Sequence, residues 1–216
     1  MMSTPKGPGD GGKRGYHHGN LREALIEAAR TLIAERGPSG FTFADAARLA
    51  GVSAAAPYRH YRDRDDLIAD VARRGFERFA ADLEAAGSDG SPEPMRALQR
   101  IGRAYMGFAR AEPAAFAAMF ESGLPPADFP ELQAAGERAF GVLRRAADAV
   151  VATLPPAGRP PGLMVALHVW SLSHGIAALF ARGDRARRPI PMPAEELLEA
   201  GVLVYLQGLG IGQSGS

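Results

Sequence analysis

Apolar residues recur three and four positions apart along almost the whole chain, and no stretch alternates apolar with polar residues at period two. That spacing lines one face of an α-helix and never one face of a strand, so no sheet is expected. Glycine and proline divide the pattern: Gly37, Gly51, the segment AAGSDGSP, Pro113, LPPADFP, PPAGRPP and RRPIPMP all fall between apolar runs. The reading is all-α, and a hydrophobic content of 46% over 216 residues supplies a core for it.

Leu21, Leu25, Ala28, Ala29, Leu32 and Ile33 share a face of the first helix. Asn20 and Glu23 offer its N-cap and a reach-back carboxylate, and Gly37 its stop. Thr42 and Asp45 repeat the capping pair. Phe43, Ala46, Ala47 and Ala50 then form the narrow face of a two-turn helix that Gly51 ends, with Val52 pointing inward. Ser53 can cap a third helix. Pro57 has no amide proton and disfavours helical geometry at Ala56, so this helix starts at Ser53 or later and ends near Tyr61. Asp63 caps a longer fourth helix carrying Leu67, Ile68, Val71, Ala72, Phe76, Phe79 and Leu83. Further helices are expected over 92–111, 113–121, 128–154, 161–182 and 194–210, with no internal repeat. The organisation expected is a disordered Gly/Pro/Lys-rich tail over 1–15, a three-helix head over 16–64 and a helical body over 65–216.

Two short capped helices joined by a three-residue turn make a helix-turn-helix, whose second helix enters the major groove of DNA. That gives AGVSAAAPYRHYRDR a purpose. Ala54, Ala55 and Ala56 keep the leading end slim enough to approach the groove floor, where a methyl can meet a thymine methyl. Tyr58, Arg59 and His60 can reach the phosphate walls, and so can Arg64 at the next helix start. Tyr61 falls where a core aromatic is needed. Charge agrees with this polarity: through Arg62 there are nine Lys/Arg against five Asp/Glu, although the whole chain carries only +1.

The stretch TFADAARLAGVSAAAPYRHYRDRDDLI, extended leftward by GYHHGNLREALIEAARTLIAERG, resembles the DNA-binding segment of the TetR family of bacterial transcriptional regulators. The resemblance implies a DNA-binding head joined through the fourth helix to a ligand-binding, dimer-forming body. Carried over by position, it implies that Thr42 and Ser53 bond phosphates and that Ala54 and Ala55 face bases. Tyr58, Arg59 and His60 would contact the backbone, with Arg59 also a candidate base reader. Arg64 stands where the family usually has a phosphate-binding lysine. With no polar group at 54–56, specificity falls to Arg59, to thymine methyls, to the tail's KRGYHH or to DNA shape.

The body resembles the C-terminal domain of a TetR subgroup recognised by a tryptophan followed by a His-Gly pair, here Trp170, His174 and Gly175 in LHVWSLSHGIAALF. AEPAAFAAMFESG is similar to that subgroup as well. Residues 163–180 are apolar nearly all round, but His168, Ser171, Ser173 and His174 argue against a membrane span. A helix buried on two sides, against its own domain and a partner subunit, is expected instead. The resemblance implies a two-fold four-helix interface, with Ile176, Leu179, Leu198, Val202, Tyr205 and Leu209 as candidates. Candidates for a ligand pocket are Phe108, Phe116, Met119, Phe120, Phe140, Met164, Trp170 and His174, although aromatics and methionines at helical spacing are more often plain core. His174 reads as a polar anchor for a ligand or as a histidine satisfied by a backbone carbonyl.

Catalysis has no foothold in the sequence. There is no Gly-rich phosphate loop, nucleophile elbow or cysteine, and His168 and His174, six apart, point in different directions. No cofactor, metal or enzymatic activity is expected. With neither cysteine nor an apolar leader, the expected place is the cytoplasm. The function expected is a homodimeric repressor, released from a palindromic double-stranded operator by a small apolar effector. The alternative is a ligand-independent regulator set by abundance or a protein partner, which requires a solidly packed body.

Overall fold

The computed structural model describes residues 21–88, 93–181 and 191–210, and every regular element among them is helical. The Asn20 cap, the 1–15 tail and the basic run KRGYHH lie outside the described residues. Helix α1 (Leu21–Arg36) buries Leu25, Ile26, Ala28, Ala29, Leu32 and Ile33, the face that its periodicity predicts. Gly37 ends it with φ 77° while its amide donates to the Ile33 carbonyl at 2.8 Å.

Thr42 and Asp45 close a full capping box on α2 (Phe43–Leu49). The Thr42 hydroxyl accepts from the Asp45 amide at 3.1 Å, and the Asp45 carboxylate accepts from the Thr42 amide at 2.9 Å. At the other end Gly51 adopts φ 72°. The Val52 amide then reaches back to the Ala47 carbonyl at 3.0 Å and that of Gly51 to Arg48 at 3.1 Å, the paired bonds of a Schellman turn.

The third helix departs from expectation. It is only a single 3₁₀ turn, Pro57–Arg59. Ala56 does take helical angles (φ −64°, ψ −39°), so the proline fails to exclude them. Without an amide proton, however, Pro57 cannot bond back to Ser53. The segment winds tightly instead, with Ala56 N–H to Ser53 O at 3.0 Å, Arg59 to Ala56 at 3.2 Å and His60 to Pro57 at 2.9 Å. No side chain caps the turn.

Helix α3 (Arg64–Gly87) starts under the Asp63 carboxylate, which accepts from the Asp66 amide at 2.9 Å. Then α4 (Pro94–Ala111), α5 (Pro113–Glu121) and α6 (Pro130–Ala152) each begin on a proline, where the missing amide costs nothing. The helix expected from 128 is cut back because Pro130 disfavours helical angles at Phe129, which sits at φ −133°, ψ 77°; Pro126–Asp128 forms a separate 3₁₀ turn. Helices α7 (Gly162–Ala181) and α8 (Ala194–Gly208) complete the body.

One helix joins the two halves. The first half of α3 places Leu67, Ile68, Val71 and Ala72 in the core of the head, which also takes in Ala114, Ala118 and Leu132 from α5 and α6. The second half places Phe79 and Leu83 in the core of the body. The head core therefore extends into the body without a linker, and each fully enclosed side chain such as Leu25 or Leu67 contributes roughly 2 kcal/mol. Gly162–Phe180 is long and apolar enough to cross a membrane, but one side of it, with Val165, Ala166, Val169 and Ser173, is enclosed by the body.

Candidate nucleic-acid interface and internal cavity

The tip of the head is formed by the end of α2, the Gly51 turn and residues 53–60. Ser53, Ala54 and Ala55 are exposed and Ala56 is half-buried, so the slim front of the segment faces outward with none of the described residues over it. Pro57 and Tyr61 turn the opposite way and are buried. Tyr58 remains 64% exposed while its ring meets Phe43 edge-on at 5.0 Å, which fixes the direction of its hydroxyl. Arg59 and His60 are exposed beside it, and Arg59 makes no ion pair among the described residues.

Two expected phosphate ligands are already engaged within the chain. The Thr42 hydroxyl donates to the Asp45 carboxylate at 2.7 Å as well as accepting from its amide, so it caps α2 rather than projecting freely. Arg64 is half-buried and holds Asp65 through Nε and Nη2 at 3.0 and 2.8 Å. Arg48 and Arg62, passed over in the sequence, are the more exposed cations, although each is also paired with a carboxylate. Both side chains are over 70% exposed, and their partners Asp45 and Asp66 are on the same surface.

Beneath the tip lies a group that no sequence pattern disclosed. Asp70, on the buried side of α3 and 6% exposed, accepts from the Tyr61 hydroxyl at 2.7 Å. It accepts from Arg22 Nε at 3.0 Å, from Arg73 Nη2 at 2.7 Å and from Arg74 Nε at 3.3 Å. Burial by itself raises a carboxyl's pKa. The bonds from Tyr61, Arg73 and Arg22 outweigh it and hold Asp70 below its ordinary range. The same burial and the Asp70 carboxylate push the Tyr61 phenol far above its ordinary value, so it donates throughout the physiological range. The carboxylate thereby ties α1, the end of the 3₁₀ turn and α3 together. A second tie crosses to the body: Glu112, between α4 and α5, accepts from Arg30 at 2.6 Å and lies 3.3 Å from Arg78.

The body holds an open-mouthed cavity of about 370 Å³ between α3, α4, α5, α6 and α7. Of the expected pocket residues, Phe120, Phe140 and Trp170 line it. The rest do not: Phe108 and Phe116 are buried in the surrounding core, Met119 packs against Gly75, and Met164 is half-buried elsewhere on α7. The wall is completed by Phe76, Phe79, Leu83, Tyr105 and Leu143, which the sequence offered only as generic core. His174 sits just behind it. Its Nδ1 lies 3.1 Å from the Tyr105 hydroxyl, so a side chain satisfies it and not the backbone carbonyl considered above. Phe116 stacks on its ring at 5.6 Å, and Phe120 and Trp170 approach it at 4.8 and 5.8 Å. This burial lowers its pKa from 6.5, with the Glu121 carboxylate pulling weakly the other way, so the ring is neutral at pH 7.

On the expected dimer face the positions divide. Ile176, Leu198 and Val202 are buried in the protomer's own core, and Tyr205 and Leu209 are half-buried, with Tyr205 Oη 2.8 Å from His168 Nδ1. Only Leu179 faces out. The outward stripe of α7 is Leu163, Leu167, Ser171, Gly175 and Leu179, and α8 adds Leu203 and Val204, the last 69% exposed. Helix α7 is apolar all round and so gives no moment from which to orient Ile176 and Leu179 in advance.

Residues 25–71 match the family described as bacterial regulatory proteins, tetR family, and residues 98–205, half of the chain, match the tetracyclin repressor-like C-terminal domain. The latter description makes no reference to the Trp and His-Gly pair. No curated protein matches the sequence. Among solved structures, a protein of unknown function from Rhodococcus sp. RHA1 is similar at TM-score 0.75 and 29% identity, over 91% of this chain and 98% of that one. The TetR family transcriptional regulator PfmR from Thermus thermophilus superposes at 0.66 with 23% identity, over 85% and 97%. The fatty acid degradation regulator FadR from Bacillus halodurans superposes at 0.67 with 12% identity, over 92% and 98%; the last two likenesses concern the fold alone.

Proposed function

The chain belongs to the TetR family of bacterial regulatory proteins, and from that premise we propose that it is a cytoplasmic homodimeric repressor, released from a palindromic operator when a small, largely apolar molecule enters the body. The observation that carries the DNA-binding site is the exposed front of residues 53–60, slim at Ala54 and Ala55 and flanked by Tyr58, Arg59 and His60. Ala54 and Ala55 face base edges. Ser53, Tyr58, His60 and the exposed Arg48 and Arg62 bond phosphates, and Arg59 reads a base or the adjoining backbone. Thr42 and Arg64 hold the tip in shape and reach phosphate only by sharing their present partners.

Pairing through the outward stripe of α7 with α8 would bury Leu163, Leu167, Leu179 and Val204 against their two-fold copies. Two tips about 34–36 Å apart then meet successive major grooves on one side of a duplex. The cavity favours ligand control over control by abundance, because the latter needs a solidly filled body. Leu167 both lines the cavity and lies on the outward stripe, so an occupant that shifts α7 alters the spacing of the heads. It does so only as far as its affinities for the two arrangements differ.

The test is anisotropy titration of the DNA upstream of its own gene, with an inverted repeat expected to bind one dimer. Tyr58→Ala should weaken binding about tenfold on operator and non-specific DNA alike while leaving the salt slope unchanged, because a neutral phenol displaces no counterion from the phosphates. Tyr58→Phe, which retains the ring on Phe43, separates the hydroxyl from the packing. Unchanged affinity in both variants would remove the tip from the interface. Ala139→Phe, which fills the cavity from α6, should leave operator affinity within about twofold while abolishing release by any effector. Effector release at wild-type concentrations in that variant would place the ligand elsewhere.

A further inference from the structure

We propose that the molecule admitted to this cavity is a lipophilic amine, an apolar body bearing one positive charge that meets the carboxylate of Glu137 and the faces of the surrounding rings. The inference rests on the cavity being the effector site. Its walls are aromatic and aliphatic on every side, and Phe76, Phe79, Phe140 and Trp170 present ring surface from three helices. Such a lining accepts a hydrocarbon body of any charge type, so selectivity falls to the polar groups that the body meets.

Those groups have one sign. Among the described residues Glu137 is the single charged one on the wall; it is exposed, and its hydrogen-bond partner is the uncharged amide of Gln133 at 2.8 Å. No ion pair forms at Glu137 among the described residues. Nor does any described lysine, arginine or histidine line the cavity, and the ring of His174 behind the wall is neutral at pH 7. Ser173 already donates to the Val169 carbonyl at 2.8 Å and the Tyr105 hydroxyl is already paired with His174 Nδ1 at 3.1 Å, so both hydroxyls have a partner and neither carries a charge to offer a carboxylate. An anion entering here loses its hydration and gains no cation in return, beside a charge of its own sign. A cation gains a carboxylate at the entrance and ring faces within, and each contact strengthens as water is excluded.

Three probes with one skeleton test this at pH 7: 4-phenylbutylamine, 4-phenylbutanol and 4-phenylbutyrate. Trp170 is the chain's one tryptophan and lines the cavity, so its emission reports occupancy directly, with calorimetry as a second measurement. The amine is expected to bind about tenfold tighter than the alcohol, and the butyrate more weakly than both. In Glu137→Gln the amine should lose about fivefold while the alcohol stays within about twofold. Equal binding of all three, tighter binding of the butyrate, or an amine affinity indifferent to Glu137→Gln would overturn the charge assignment and leave the cavity as an effector site. Failure of every probe to bind or to perturb Trp170 would overturn the effector site itself.

Discussion

Asp70→Ala is expected to destabilise the head by about 3–5 kcal/mol, a large share of the stability of an ordinary domain. The carboxylate is buried, and its loss strands the Tyr61 hydroxyl at once and leaves Arg22, Arg73 and Arg74 crowded around an empty site. Tyr61 closes the 3₁₀ turn, so the DNA-facing segment should lose its orientation before the body melts. Chemical denaturation followed by circular dichroism measures the first effect, and operator affinity the second. Asp70→Asn, which can still accept from Tyr61, should recover part of the stability. A variant within about 0.5 kcal/mol of wild type would mean that the cluster contributes only surface charge pairs.

The sign of the accompanying pH dependence follows from the lowered pKa. A carboxyl held below its unfolded value contributes fully above that value, about pH 4, and the contribution is lost as pH falls through the folded value. The wild-type head should therefore weaken on acidification below about pH 4 more steeply than Asp70→Asn.

Val204→Glu is expected to dissociate the proposed dimer, raising its dissociation constant at least ~100-fold. Each two-fold interface would bury two such carboxylates without partners, at a cost of a few kcal/mol. Val204 is 69% exposed in the protomer, so the substitution should leave the thermal stability of the chain itself within about 0.5 kcal/mol. Sedimentation velocity reads the assembly, and the palindrome should lose far more affinity than a single half-site does. A variant that remains dimeric would move the interface off this stripe. By contrast Val202→Ala, at an originally expected contact, should cost folding stability through a cavity in the core and leave association alone.

These contrasts mark how far the sequence could be read. Helix positions were legible because their signals are local. The Thr42 and Asp45 box, Asp63 over Asp66, the glycines at 37 and 51, and prolines opening three body helices all act within four residues. The outward, slender front at Ala54 and Ala55 was legible for the same reason, since small side chains beside a tight turn need no distant partner to be exposed.

What needed the tertiary structure is what depends on distant helices meeting. Helix α7 is apolar nearly all round, so its sequence contains no phase, and only the fit of Val165, Val169 and Ile176 into the body decided which side is inward. Asp70 reads as an ordinary polar interruption until Arg22, 48 residues away, arrives beside it. The cavity wall is drawn from five helices whose rings are individually indistinguishable from core. The amino-acid sequence by itself determined most helix boundaries, the third helix and the start of α6 excepted, and which small residues lead the tip. Which faces pair, and which charges are buried among them, was decided by packing, because burial and cavity shape belong to the assembled helices and to no single segment.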